Sequence, residues 1–303
     1  MFRRFATTIC LAMAAGPAMA HGGHAHPEPA AAAWWTQWDL DPLILGTLGL
    51  LVYMYQRGVR RLWAEAGRGR GIARRHVGAF ALGMAALLVA LVSPIAPMAE
   101  RLNAVHMVQH MTIMMVAAPL VVAGSPGLAV LQALPARLRQ ATGRGFRRSA
   151  AARSGWYLLW QPALMFGLYA LTLWVWHLPR LYQAALAHPL LHDLQHVMFF
   201  VAACLFWRVV LDPLSRLRLG AVPGVLYLFL TSIHAMFLGV FMALSPRAWY
   251  PFYEGTAPAF HLSALEDQQI AGAIMWMPAC AIYAVVAAWL FAVWLREPAE
   301  EPA

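Results

Sequence analysis

Two short segments of this chain carry the same five-residue pattern. One is His106-Met107-Val108-Gln109-His110 and the other is His192-Asp193-Leu194-Gln195-His196. On a helix, residues three and four apart share a face. Each segment therefore presents two imidazoles with a glutamine beside them. Imidazoles at i and i+4 can converge on one metal ion, and copper accepts imidazole nitrogen as Cu(I) or Cu(II). Two pairs brought together offer four such nitrogens. Gln109, Gln195 and Asp193 are placed to hydrogen-bond the rings and fix their orientation. One such pair at a helix end has an ordinary structural use; two matching pairs are harder to explain that way.

Further candidate ligands surround this pattern. Met114 lies four residues beyond His110, so one face runs His106-His110-Met114. A thioether favours Cu(I), although methionine also fills gaps in apolar packing. His177, His234 and Asp267 fall at or within apolar stretches, where ionisable groups tend to mark function. His188 and His261 read as ordinary loop residues, and His76 as part of a basic loop. Near the start, His21-Gly22-Gly23-His24-Ala25-His26 is a histidine-rich tract. Such tracts read as metal-binding or as flexible tails.

The elements that position these groups are membrane helices. Hydrophobic residues make up 61% of the 303 positions and charged residues only 12%, against roughly 25% charged in a soluble domain. Backbone polar groups in a bilayer must pair internally, so only helices or closed barrels span it. The apolar runs exceed the roughly 10 residues of a barrel strand. Seven apolar segments are expected, near residues 40–56, 76–92, 106–123, 156–177, 192–211, 223–244 and 269–295. The first is the shortest. The third contains Pro119 and stops at Gly124-Ser125-Pro126, so a kink or break is expected at its inner end. The fold class is thus all-α, a polytopic bundle of about seven transmembrane helices.

The formal net charge is +9, and every basic residue other than histidine is arginine. In a soluble protein this excess would point to nucleic acid. Here the arginines cluster in alternate loops, at residues 57–75, 137–153 and 208–218, which reads as topology with lipid as the partner. The positive-inside rule then puts the N-terminus outside and the C-terminus inside. Both histidine patterns begin spans running inward, so they share a depth near the outer boundary. Arg3 and Arg4, the apolar stretch 5–16 and Pro17-Ala18-Met19-Ala20 resemble a signal peptide cleaved after residue 20. Residues 21–39 follow as a periplasmic histidine-rich segment, 40–295 as the membrane domain and 296–303 as a cytoplasmic tail. Trp249, Tyr250, Phe252 and Tyr253 of the largest outer loop are expected to anchor it at the interface. Cys10, Cys204 and Cys280 are far apart and give no disulfide framework.

The two His-x-x-Gln-His segments, the stretch from Ala117-Ala118-Pro119 to Gly124-Ser125-Pro126, Trp174-Val175-Trp176-His177 and Asp267-Gln268-Gln269-Ile270-Ala271-Gly272 together resemble the multi-spanning CtaG-type cytochrome c oxidase assembly factors. The resemblance covers most of the chain after about Trp38. It implies a bacterial inner-membrane factor that helps mature a haem–copper oxidase by handling copper. That role falls on His106, His110, His192 and His196, and then on His177, His234 and Asp267. A single-spanning family with a cysteine copper site shares the CtaG name; with no exposed cysteine pair, this sequence does not fit it. The expected function is copper delivery to an oxidase subunit by ligand exchange, with no enzymatic step. A b-type haem protein or electron carrier, and a copper or proton transporter, are the alternatives.

Overall fold

The computed structural model describes residues 31–215 and 218–296. The expected signal peptide, His21, His24 and His26, and the tail from residue 297 lie outside the described residues. All regular elements among the described residues are helical, as the bilayer reading requires.

Helix α1 (Pro42–Ala66) opens with Asp41, whose Oδ1 accepts the N–H groups of Leu43 at 2.6 Å and Ile44 at 3.3 Å. This supplies the side-chain acceptor that a helix start lacks internally. Helix α2 (Arg74–Val92) and the short α3 (Ile95–Ala99) lead into α4 (Asn103–Ala123). Next come α5 (Pro126–Ala133), α6 (Ala136–Arg148), α7 (Ala150–Leu159), α8 (Pro162–Trp176), α9 (Pro179–Ala187) and α10 (Pro189–Leu211). Helices α11 (Ala221–Ala243) and α12 (Ala264–Trp294) close the fold. The loop between them holds two 3-10 turns, Pro251–Gly255 and Ala257–Phe260.

Among the described residues five helices, α2, α4, α10, α11 and α12, are long and apolar enough to cross a membrane. The pair α7 and α8 makes a sixth if its 58° bend lies within one span. Seven spans were expected, and two local causes explain the difference. In α1 the apolar run from Leu43 to Tyr55 covers roughly 20 Å before Gln56, Arg57, Arg60 and Arg61 interrupt it, short of the ~30 Å hydrocarbon core. Between α7 and α8, Pro162 lacks an N–H and holds Gln161 extended at φ −67° and ψ 126°, which breaks the expected 156–177 span.

The expected break at Pro119 takes another form. Residues Thr112–Ala117 wind as a π turn, and the helix then continues through Pro119 to Ala123. A proline ring crowds the carbonyl one turn back, and a wider turn gives it room. The Met114 carbonyl in that turn accepts the indole N–H of Trp207 at 2.9 Å. The chain reverses only at Ser125, in the left-handed region at φ 53°.

Helix α4 is the most enclosed span, with 67% of its apolar window buried against 28–50% for the other four. Met107, Ile113, Met114, Ala117 and Ala118 are fully buried on it. Leu82, Leu171, Phe229 and Val285 on surrounding helices stay exposed, as a lipid-facing surface should. Helices α11 and α12 pack closest at Gly239 and Gly272. A Cβ on Gly272 would stand 2.6 Å from the Gly239 carbonyl oxygen and from the Ala243 nitrogen, so only glycine permits this approach. That fixed pair carries the loop between them and its tyrosines.

Candidate metal centre

The first turn of α4 is capped by another helix. Its N-cap, Leu102, has no side-chain acceptor. Asp267 of α12 supplies one instead, accepting the N–H groups of Asn103 at 2.7 Å and Ala104 at 2.9 Å. The carboxylate is fully buried and also complements the positive end of the helix dipole. One turn on, His106 and His110 project into the bundle, 0% and 1% exposed. Helix α10 begins with Pro189, which suits a first helical position, and places His192 and His196 on its opening turns.

The two pairs converge as their spacing predicts. Ring centroids stand 4.2 Å apart for His106 and His110 and 4.4 Å apart for His192 and His196. Between helices they are 5.2 Å for His106–His192, 5.3 Å for His110–His196 and 6.2 Å for His106–His196. One nitrogen each from His106, His110 and His196 lies within 4.8 Å of the other two. Nitrogens sharing one ion at about 2 Å stand at most about 4 Å apart. Side-chain adjustments of under about 1 Å would therefore close the triad.

Hydrogen bonds assign the proton on His106. Its Nδ1 meets Tyr253 Oη at 2.9 Å and Tyr182 Oη at 3.0 Å. Tyr182 donates its own proton to Asn103 Oδ1 at 2.8 Å, and Tyr253 donates to the Ala99 carbonyl at 3.2 Å. Burial, then neighbouring tyrosines, hold the Tyr182 hydroxyl well above its usual pKa; burial does the same first for Tyr253. Both phenols stay protonated, spend their protons elsewhere and accept at His106. Nδ1 is therefore the N–H, and Nε2 carries the lone pair. His177 is ordered alike. Its Nδ1 lies 2.7 Å from the Leu173 carbonyl, an acceptor only, so Nδ1 donates and Nε2 is left bare; burial pushes its pKa down to about 4.

Several imidazole nitrogens here are buried without a hydrogen-bond partner: His106 Nε2, both of His110, His192 Nε2, His196 Nε2 and His177 Nε2. Each unsatisfied buried polar atom costs about 1–3 kcal/mol, and native structures rarely keep so many together. A cation bound by one nitrogen each of His106, His110 and His196 removes that cost at those three atoms, so the residues present fit a metal. The converging group found among the described residues consists of imidazoles alone.

The other expected residues take different places. Gln109 Nε2 donates to the Ala90 carbonyl at 2.9 Å, tying α4 to α2 and not to a ring. Gln195 is fully buried with neither amide atom bonded. Asp193 is half-buried, and its electrostatic neighbours are Asp41 and Asp39. Asp267 commits both oxygens to the α4 cap. His234 packs on Phe166 at 5.3 Å and Tyr169 at 6.2 Å, apart from the cluster. His177 flanks it through Phe199, which lies 5.9 Å from His177 and 4.7 Å from His110. Met114 is fully buried inside the π turn, whose added residue breaks the four-residue stripe.

The outer loop corrects a further expectation. Tyr250 and Tyr253 are not interface anchors; each is 1% exposed. The loop folds over the N-terminal end of α4, because its polar groups find partners there. Tyr250 Oη donates to the His177 carbonyl at 2.9 Å and its ring stacks on Tyr182 at 4.0 Å. Thr256 Oγ1 donates to the Arg101 carbonyl at 2.7 Å. Tyr182 and Tyr253 carry no spacing signal toward His106, being 76 and 147 residues away in sequence.

Comparisons with known proteins identify relatives and a family. An uncharacterised protein of Mycobacterium bovis is 27% identical over 265 residues, covering 84% of this chain and 39% of that protein. One of Mycobacterium tuberculosis matches with the same figures. One of Mycobacterium leprae is 26% identical over 286 residues, covering 91% of this chain and 42% of its own length. This chain thus spans about two-fifths of the length of the curated relatives it matches. No solved structure matches. Residues 53–297, which include all four clustered histidines and every span described above, match the family described as cytochrome c oxidase caa3 assembly factor. The chain therefore belongs to the caa3-type cytochrome c oxidase assembly factor family, as its motifs led one to expect.

Proposed function

We propose that this protein binds copper as Cu(I) at His106, His110 and His196, on the outer side of a bacterial inner membrane, and hands it to a subunit of a haem–copper oxidase. The observation that carries this reading is the set of three buried imidazoles, with ligand atoms within 4.8 Å and nitrogens lacking other partners. Family membership supports the oxidase as recipient. Copper is cargo here, released by ligand exchange, and no covalent chemistry on a substrate is needed.

Neutral imidazoles in a buried site favour the monovalent ion. The cost of burying an ion scales as the square of its charge, so a divalent ion costs roughly four times more, and no carboxylate joins the converging group to offset it. Tyr182 and Tyr253 keep His106 in the tautomer whose Nε2 can bind. The arginine-rich loops support an outward-facing site through the positive-inside rule. Three nitrogens meeting at one point suit a small ion better than the opposed axial positions of a b-type haem. His234 stands apart from the cluster, so the cluster is not linked to the deep ligand that a permeation path would use.

The test is metal analysis of the full-length protein in mild detergent. About one copper per chain is expected, lost in the His106→Ala/His110→Ala/His196→Ala variant together with oxidase activity at limiting copper. Full oxidase activity from that variant, inserted normally, would sink the proposal.

A further inference from the structure

We propose that His192 is the exchange ligand, through which copper reaches and leaves the inner triad. This rests on the copper reading above and assigns the fourth histidine a task distinct from the other three.

The four imidazoles are not equivalent. His106, His110 and His196 are 0%, 1% and 8% exposed, and their nitrogens form the converging group. His192 is outside that group and is the member that is only half-buried. It sits in the opening turn of α10, three residues after Pro189 and so closest to the preceding loop. Its ring nevertheless stands 4.4 Å from His196 and 5.2 Å from His106. Its Nε2 is buried without a protein partner. His106, by contrast, is held at Nδ1 by two tyrosine hydroxyls, and His110 packs at 4.7 Å on the Phe199 ring.

Ligand exchange needs an incoming donor to reach the ion before an outgoing donor lets go. A triad of enclosed, packed rings leaves little room for a partner's ligand to approach directly. A fourth imidazole at the rim solves this. Its Nε2 lone pair bonds to copper as one triad nitrogen, that of the adjacent His196, withdraws. The ion then sits where a partner's donor can reach it. One copper–nitrogen bond forms as another breaks. No electron is transferred, so the oxidation state is unchanged, and His192 stays neutral throughout.

The experiment loads the detergent-purified full-length protein with Cu(I) and follows release to an excess of a micromolar chromophoric Cu(I) chelator. A tethered ligand acts at an effective concentration of order millimolar, so His192→Ala should keep its copper yet release it on the order of tenfold to a hundredfold more slowly. His192→Met restores a Cu(I) donor at the rim and should recover most of the rate, whereas His110→Ala should lose the metal. If the wild type holds no copper, the copper reading itself fails. If the wild type holds copper and His192→Ala, with an unchanged helical spectrum, either loses it or releases it at the wild-type rate, the exchange role is overturned and the copper reading survives. His192→Asn repeats the comparison should the alanine variant fold poorly.

Discussion

Removing the Asp267 carboxylate should weaken the fold and leave the clustered histidines in place. Asp267 accepts two short N–H bonds, at 2.7 Å from Asn103 and 2.9 Å from Ala104, in a fully buried setting. A hydrogen bond to a charged group contributes about 1.5–3 kcal/mol. A carboxylate at a partly buried helix N-terminus contributes up to about 2 kcal/mol, but this overlaps the hydrogen-bond figure and is not added to it. Asp267→Ala orphans both amides and should cost about 3–5 kcal/mol. Asp267→Asn keeps one acceptor oxygen and should cost about 2 kcal/mol. The assay is reversible denaturation in mixed detergent, beside copper per chain by mass spectrometry. For Asp267→Asn we expect reduced stability with copper retained. Loss of copper at unchanged stability would show that Asp267 is a ligand and that its role as a cap of α4 is wrong.

Three further outcomes follow from the geometry. The Tyr182→Phe/Tyr253→Phe variant frees His106 Nδ1 and should lower Cu(I) affinity by about tenfold or more, measured by chelator competition; wild-type affinity would refute the tautomer assignment. Gly272→Ala forces a Cβ to within 2.6 Å of the α11 backbone and should destabilise by about 3 kcal/mol, whereas Gly167→Ala, with open space around it, should be near neutral in the same denaturation assay. Burial lowers the His177 pKa to about 4, against about 6.5 when unfolded. The unfolded chain therefore binds more protons at this residue between those values, so the share of metal-free stability that His177 contributes should be lost as pH drops from about 6.5 toward 4. The full contribution is about 3 kcal/mol. His177→Asn should flatten that slope, and an unaltered slope would contradict the assignment.

The histidine cluster was legible in the sequence where it depends on helical period. Four-residue spacing is enough to put His106 with His110 and His192 with His196 on single faces, and shared inward direction brings the pairs level. What holds the site was not legible, because it comes from distant segments. Asn103 and Ala104 meet Asp267 across 164 and 163 residues, and that carboxylate reads as a ligand until its two amide partners are known. Tyr250 and Tyr253 read as interface anchors, since aromatic residues in an outer loop serve a membrane boundary or a folded cap with the same composition. The structure reaches fewer than the seven expected spans by length and composition where Gln56 and the arginines after it cut the apolar run of α1 short and where proline acts locally. Pro162 divides one apolar run, while Pro119 is absorbed by a π turn that periodicity does not reveal.

The long separation between Asp267 and the start of α4 also bears on when the site comes into being. Synthesis and insertion proceed from the N-terminus, so α4 reaches the membrane long before α12 is made. Until then, the amides of Asn103 and Ala104 lack their acceptor, and the loop that bears Tyr253 is not yet held at its far end. The histidines of α4 and α10 are both present at that stage, but the turn that aims the first pair is not yet fixed. A chain stalled there lacks all of α12 and not one carboxylate alone, so it should hold copper poorly, and a finished site should coincide with the arrival of the last helix. Arrest of translation between α11 and α12, followed by metal analysis of the stalled chain, would time that step.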